Sequence, residues 1–214
     1  MPKVTLTFDN GPDPNITPQV LDTLTTDHLR ATFFVVGQKL AQPGGWEIAA
    51  RAVELGHWLG NHTFTHTIPL GNSQEPTIAE AEIGQTQKLI GSLAHPDKLF
   101  RPFGGGGAIG PHLLSRGCYE FLRAGGYTCV LWNSVPRDWE DPAGWVERAL
   151  ADCRAKAWTL LVLHDIDTGA MKYLDGFIQS LLAQGSEIVQ DFPPDCVPLH
   201  AGEEVLPMQG YIND

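Results

Sequence analysis

Five short segments of this 214-residue chain hold residue types that could do chemistry. Asp9-Asn10-Gly11 puts a carboxylate at the end of an apolar run, where it is poorly solvated and needs a partner. Taken alone, the same triplet also reads as a turn. His62-Thr63-Phe64-Thr65-His66 places two imidazoles four positions apart. One helical turn of backbone would aim both at one point, and imidazole is a favoured zinc ligand. With eight histidines in the chain, a chance surface pair is the alternative. Arg101-Pro102-Phe103-Gly104 offers a guanidinium that could hold a carboxylate through two parallel hydrogen bonds, or form an ordinary surface pair. Asp138-Trp139 and His164-Asp165 complete the set. A histidine beside a carboxylate can be held in one orientation and kept protonated enough to donate. Asp138 would serve equally as a helix cap.

The elements that must position these residues alternate along the chain. Val4–Phe8 reads as a strand. A helix follows, capped by Thr17 with Pro18 in its first turn and a stripe of Val20, Leu21 and Leu24. Ala31–Val36 is a β-branched and aromatic strand. Trp46–Leu55 is a helix ending at Gly56, and His57–Asn61 is a short strand. Thr77 and Glu80 suggest a capping box for a helix through Leu93. Further strands are expected at Leu99–Pro102, Tyr127–Trp132, Trp158–His164 and Glu187–Gln190. Helices are expected at Pro111–Ala124, from Asp141-Pro142 to Ala155, and at Met171–Ala183. About seven βα units imply a parallel sheet with helices outside, and the length suits a compact barrel in one domain over residues 1–214. The tail from 193 to 214 reads as a surface extension. Asp9, His62, Arg101, Asp138 and His164 all fall at or just past the C-terminal ends of expected strands. In a βα barrel those ends gather at one mouth.

Bulk properties narrow the partners. Twenty-five acidic residues against 14 Lys and Arg give a net charge of −11, which argues against a nucleic-acid partner or an anionic membrane surface. No apolar run reaches the ~20 residues needed to span a bilayer. No signal peptide is seen, so a cytoplasmic location is expected. Cys118, Cys129, Cys153 and Cys196 match no zinc-thiolate pattern and read as buried thiols. His28, His57, His95, His112 and His200 read as structural.

The ordered set of segments resembles the polysaccharide deacetylase family, the NodB-homology group that includes carbohydrate esterase family 4. Thr7-Phe8-Asp9-Asn10-Gly11 is similar to T-F-D-D-G, and His62-Thr63-Phe64-Thr65-His66 to H-[ST]-x-x-H. Arg101-Pro102-Phe103 resembles a shortened R-x-P-[FY]. Asp138-Trp139 matches the end of D-x-x-D-W, and Leu161-Val162-Leu163-His164 matches L-x-x-H. Ala31-Thr32-Phe33-Phe34 and Gly60-Asn61-His62 add matching context, and the resemblance runs from about Val4 to Val189.

The resemblance implies a distorted (β/α) barrel of about seven parallel strands. It implies a hydrolase that removes acetyl groups from N-acetylated sugars or a related carbohydrate. Asp9 would be the general base, oriented by Arg101, and His164 the general acid, oriented by Asp138. His62 and His66 would hold a divalent metal, expected to be zinc. Phe103, Trp139 and Val162 would bind substrate. Two positions depart from the pattern. Asn10 stands where the third metal ligand is a carboxylate, so the site would carry one negative charge fewer and bind metal less tightly. Val135 stands where the fourth motif has its first Asp. Two other readings stay open: a metal-independent amidohydrolase of the same fold, resembling allantoin-cleaving enzymes, and a non-catalytic carbohydrate-binding homologue. Oligomeric state is not readable.

Overall fold

The computed structural model describes residues 1–213. The chain begins β1 (Lys3–Asp9), α1 (Ile16–Thr26), β2 (Thr32–Val35), the one-turn α2 (Gly37–Leu40), α3 (Gly45–Glu54) and β3 (Trp58–Asn61). It continues with α4 (Gln85–Ile90), β4 (Leu99–Phe100), β5 (Leu114–Ser115), α5 (Arg116–Ala124) and β6 (Thr128–Cys129). Then come α6 (Trp145–Ala155), β7 (Trp158–His164), α7 (Leu174–Ala183), β8 (Glu187–Val189), β9 (Leu199–His200), β10 (Glu203–Glu204) and β11 (Ile212–Asn213).

The main sheet runs β10-β9-β6-β4-β3-β2-β1-β7, with β8 also on β1. Strands β1, β2, β3, β4, β6, β7 and β8 pair in parallel, and only β9 and β10 run antiparallel. The sheet curls until Ser134, past β6, bridges Leu161 of β7. The expected distorted barrel of about seven parallel strands is what forms.

Alternation along the two central strands decides which side chains enter the barrel. On β1, Val4, Leu6 and Phe8 join the core under the outer helices, with Val20, Leu21, Phe177 and Ile178. Thr5, Thr7 and Asp9 must then face inward. On β7, Leu161 and Leu163 join the same outer core, and Leu160 and Val162 pack inside with Phe34, Phe100 and Cys129. His164 continues that inward series and sits in register with Asp9. The four cysteines are buried free thiols.

Several local expectations are corrected. Thr17 does not cap α1. Asp13 accepts the backbone N–H groups of Asn15 and Ile16, and the Thr17 hydroxyl turns inward to Asp165. The Thr77–Glu80 capping box does not form, and the segment instead makes a π-helical turn over Glu80–Gly84 before α4. Pro111–Ala124 is a single 3₁₀ turn, then β5, then α5, whose first turn is capped by the Ser115 hydroxyl. The tail after Pro193 is not a surface extension. It supplies β9, β10 and β11 and buries Cys196, Leu199, Met208 and Ile212. Among the described residues no helix is long and apolar enough to cross a membrane.

Candidate active site

Asp9 ends β1 almost fully buried. Its Oδ1 accepts a 2.8 Å hydrogen bond from Arg101 Nη1. Arg101 is itself wholly buried, and its fork is filled: Nη1 also donates to the Thr7 hydroxyl, Nε to the Val130 carbonyl and Nη2 to the Leu131 carbonyl. The guanidinium lies over the Phe34 ring, 4.1 Å from its centroid. A buried charge is tolerated only when so paired. The surface-pair alternative for Arg101 is therefore removed.

His62 Nδ1 lies 2.8 Å from the Arg101 carbonyl oxygen. A carbonyl can only accept, so Nδ1 carries the proton and Nε2 keeps its lone pair. Burial pushes the His62 pKa down to about 3, so the ring is neutral. Its 3.6 Å approach to Asp9 Oδ2 is then no ion pair. His66 stands beside it, ring centroids 4.7 Å apart, and packs on Phe103 at 4.0 Å. Burial, then the neighbouring His62, brings His66 also to about 3. Two neutral imidazoles side by side suit a metal, not an anion.

The backbone route to that pairing differs from the expected helical turn. Thr63 and His66 take positive φ values of 67° and 53°, so 62–66 is a kinked loop. Glu82, from the π-helical turn, holds it. One carboxylate oxygen accepts the backbone N–H groups of Phe64 (2.9 Å) and Thr65 (2.8 Å), and the other accepts the Thr65 hydroxyl at 2.7 Å.

Asp138 is fully buried and gives both oxygens to one residue. It accepts His164 Nδ1 at 2.8 Å and the His164 backbone N–H at 2.9 Å. Burial disfavours the charged imidazole of His164. The hydrogen bond and charge of Asp138, with Asp9 and Asp165 behind, outweigh it and hold the pKa above the ordinary value. Nδ1 is committed to Asp138, so Nε2 is the atom left to donate. Trp139 stands edge-on to the ring at 4.7 Å.

One cavity of about 330 Å³ gathers Asp9, Asn10, His62, His66, Phe103, Trp139, Val162 and His164, walled further by Trp132, Val135, Ile166 and Gly104–Gly107. Arg101 and Asp138 lie behind the wall, each touching the group that does face it. Asn10 takes φ 73°, and its side-chain oxygen is buried without a hydrogen-bond partner. Among the described residues no three His, Cys, Asp or Glu side chains are arranged to hold an ion. An orphaned amide oxygen beside two neutral imidazoles nonetheless makes a usable donor set, one charge poorer than a carboxylate would give.

Thr7, Glu82, Trp132 and the Thr17–Asp165 pair escaped the sequence reading. The Thr17 hydroxyl donates to Asp165 at 2.5 Å, and burial pushes the Asp165 carboxyl up to about 7. A Cβ on Gly11 would collide with that carboxylate, so only glycine fits after Asn10. Of the histidines read as structural, His57 and His112 have partners. His57 Nδ1 accepts the Ala31 N–H, and His112 Nε2 lies 3.2 Å from the Gly104 carbonyl.

A family model described as polysaccharide deacetylase matches residues 1–108, half of the chain. The chain belongs to the polysaccharide deacetylase family. A peptidoglycan-N-acetylglucosamine deacetylase of Bacillus cereus is 32% identical over 166 residues, covering 76% of this chain and 72% of that protein. A chitooligosaccharide deacetylase of a Bradyrhizobium species is 34% identical over 168 residues, covering 76% and 70%. Among solved structures, a family 4 acetyl xylan esterase from Clostridium thermocellum in complex with a cobalt ion superposes with a TM-score of 0.69. It is 29% identical and covers 88% of this family member and 87% of that chain.

Proposed function

We propose that this polysaccharide deacetylase family member hydrolyses the acetamide of an N-acetylated amino sugar, in the manner its peptidoglycan- and chitooligosaccharide-acting relatives are named for. The observation that carries the reading is the pair of carboxylate-anchored groups, Arg101–Asp9 and Asp138–His164, meeting across one cavity. Asp9 is the base. Arg101 fixes its Oδ1, which leaves Oδ2 to take a proton from water as the oxygen attacks the acyl carbon. The tetrahedral oxyanion is stabilised from the protein side by a backbone N–H at Phe103. When the C–N bond breaks, His164 Nε2 gives its proton to the departing nitrogen, and acetate and a free amine leave. Trp139 and Val162 wall the acyl group.

His62 Nε2, the His66 ring and the Asn10 side-chain oxygen are the donors for a divalent cation, with zinc the ion that suits imidazole. Such an ion, when bound, would supply Lewis-acid polarisation and make a nearby water more acidic, towards a pKa of about 7. The cobalt ion in the acetyl xylan esterase complex supports a divalent metal here.

Acetate release from N-acetylglucosamine oligomers tests the activity, and Asp9→Asn should abolish it. Unchanged turnover in that variant removes Asp9 as the base. A second reading is favoured by Asn10, a neutral group beside the two neutral imidazoles where an anionic donor would hold an ion more tightly: a metal-independent amidohydrolase. Full activity after dialysis against a chelator would select it.

A further inference from the structure

A second cavity, of about 390 Å³, lies at the opposite end of the barrel. Trp58 at the start of β3, Leu99 at the start of β4 and Thr128 at the start of β6 line it, together with the 95–97 turn and tail residues between Asp191 and Val205. Four strand steps separate Trp58 from His62, roughly 13 Å at ~3.3 Å per residue. The two cavities therefore share walls but no lining residue.

Its chemistry is specific. Trp58 is half-buried, with His95 tilted against it at 4.7 Å and the Phe192 ring edge-on at 5.6 Å. Asp97 and Asp191 are among its lining residues, and among the described residues no Lys or Arg lines it. Among the described residues no Lys or Arg forms an ion pair with the Asp97 carboxylate, which lies 3.8 Å from His95 Nδ1 and is 46% exposed. Aromatic rings flanked by unneutralised carboxylates select a cation carried on an apolar body. A pyranose with a protonated amine fits that description: its C–H face packs on indole, and its ammonium meets carboxylate. An N-acetylated unit has no charge to offer, and an acidic saccharide is repelled.

We propose that this cavity is a second saccharide site that binds a glucosaminyl unit, the amine-bearing product of the reaction, at the barrel end opposite the active site. The choice of ligand rests on the deacetylase reading, but the binding itself needs no turnover. Polymer already deacetylated would be gripped at one end of the barrel while acetylated units are presented to the other.

The test is a titration of the intact protein with a fully deacetylated glucosamine tetrasaccharide, followed by the NMR resonance of the Trp58 indole N–H. Trp58→Phe identifies that resonance by its loss. Saturable movement of the signal is expected, at least tenfold weaker with the N-acetylated tetrasaccharide, whose integrity is checked by mass spectrometry. The exposed double variant Asp97→Asn/Asp191→Asn should weaken binding at least tenfold and leave turnover of a short N-acetylated substrate unchanged. A silent Trp58, equal affinity for both sugars, or no effect of the double variant overturns the proposal. Turnover with a silent Trp58 sinks only this proposal; Trp58 binding without turnover sinks only the deacetylase reading.

Discussion

At the scale of single residues, the cavity brings together two anchored groups, Asp9 and His164, and one uncharged, unpartnered amide oxygen on Asn10. His164 carries a pKa above the ordinary histidine value because Asp138 and the charges behind it outweigh burial. Its stabilising contribution is therefore complete below about 6.5 and is lost as pH rises through the raised value. The protonated acid disappears over the same alkaline window, so kcat/KM should fall there. Asp138→Asn removes the charge that sustains the proton and leaves burial to dominate. The alkaline limb should move to lower pH, and the maximum should drop by about 10²-fold. A pH–rate profile with an unmoved limb would take the acid role away from His164. Asn10 makes the complementary case. Its unpartnered oxygen is neutral, and restoring a carboxylate adds one full charge beside two neutral imidazoles. Asn10→Asp should tighten zinc or cobalt binding about tenfold or more. Calorimetric titration checks it, and equal affinity would mean that position 10 does not face the ion.

At the scale of elements, the histidine loop depends on a helix distortion. A π-helical turn at Glu80–Gly84 aims Glu82 at the loop, where it accepts three hydrogen bonds from Phe64 and Thr65. Glu82→Ala strands two backbone N–H groups in a part-buried setting, a loss of roughly 1–3 kcal/mol. Urea unfolding should show that loss. Metal affinity should fall with it, and Glu82→Gln, which keeps an acceptor, should recover part of both. Nothing in residues 77–93 foretold the turn, because an i→i+5 step leaves the same apolar residues in almost the same order. The partners of Glu82, Thr7 and Asp165 were hidden for a related reason: Thr7 meets Arg101 and Asp165 meets Thr17 across long stretches of sequence, and no local pattern points Glu82 at the histidine loop. By contrast β7 was legible to the residue, since Trp158–His164 is an apolar run, interrupted only by Thr159, that is closed by a histidine. The inward position of Asp9 matches the alternation of Val4, Leu6 and Phe8 with Thr5 and Thr7, whereas that of His164, after four consecutive apolar residues, is seen only in the fold. The short strands β4 and β6 were expected longer, because extended chain continues past them without regular pairing: the Val130 N–H still bonds the Phe100 carbonyl.

At the scale of the whole molecule, the tail reaches the active site through two hydrogen bonds. The Cys196 carbonyl accepts the Leu131 N–H, and the Leu131 carbonyl in turn accepts Arg101 Nη2, the guanidinium that fixes Asp9. β9 pairs antiparallel with β6, β10 forms the edge beyond it, and β11 pairs with β5. Its polar, two-residue strands gave no sequence signal, yet Cys196, Leu199, Met208 and Ile212 are buried in the same core as Phe34 and Phe100. Removing everything after Pro193 forfeits the burial of those four side chains. At ~1.5 kcal/mol or more each that is roughly 6 kcal/mol, before counting the tail's ordering entropy against it and the newly exposed Leu131 and Leu114 in its favour. A domain stable by about 5–15 kcal/mol has little margin for such a loss. The truncated chain should melt at least 10 °C lower. It should also lose activity below its melting temperature, because the Cys196 carbonyl that holds Leu131, one of the acceptors of Arg101, is gone. A truncated protein that keeps both its melting temperature and its kcat would show that β6 and Arg101 are held without the tail.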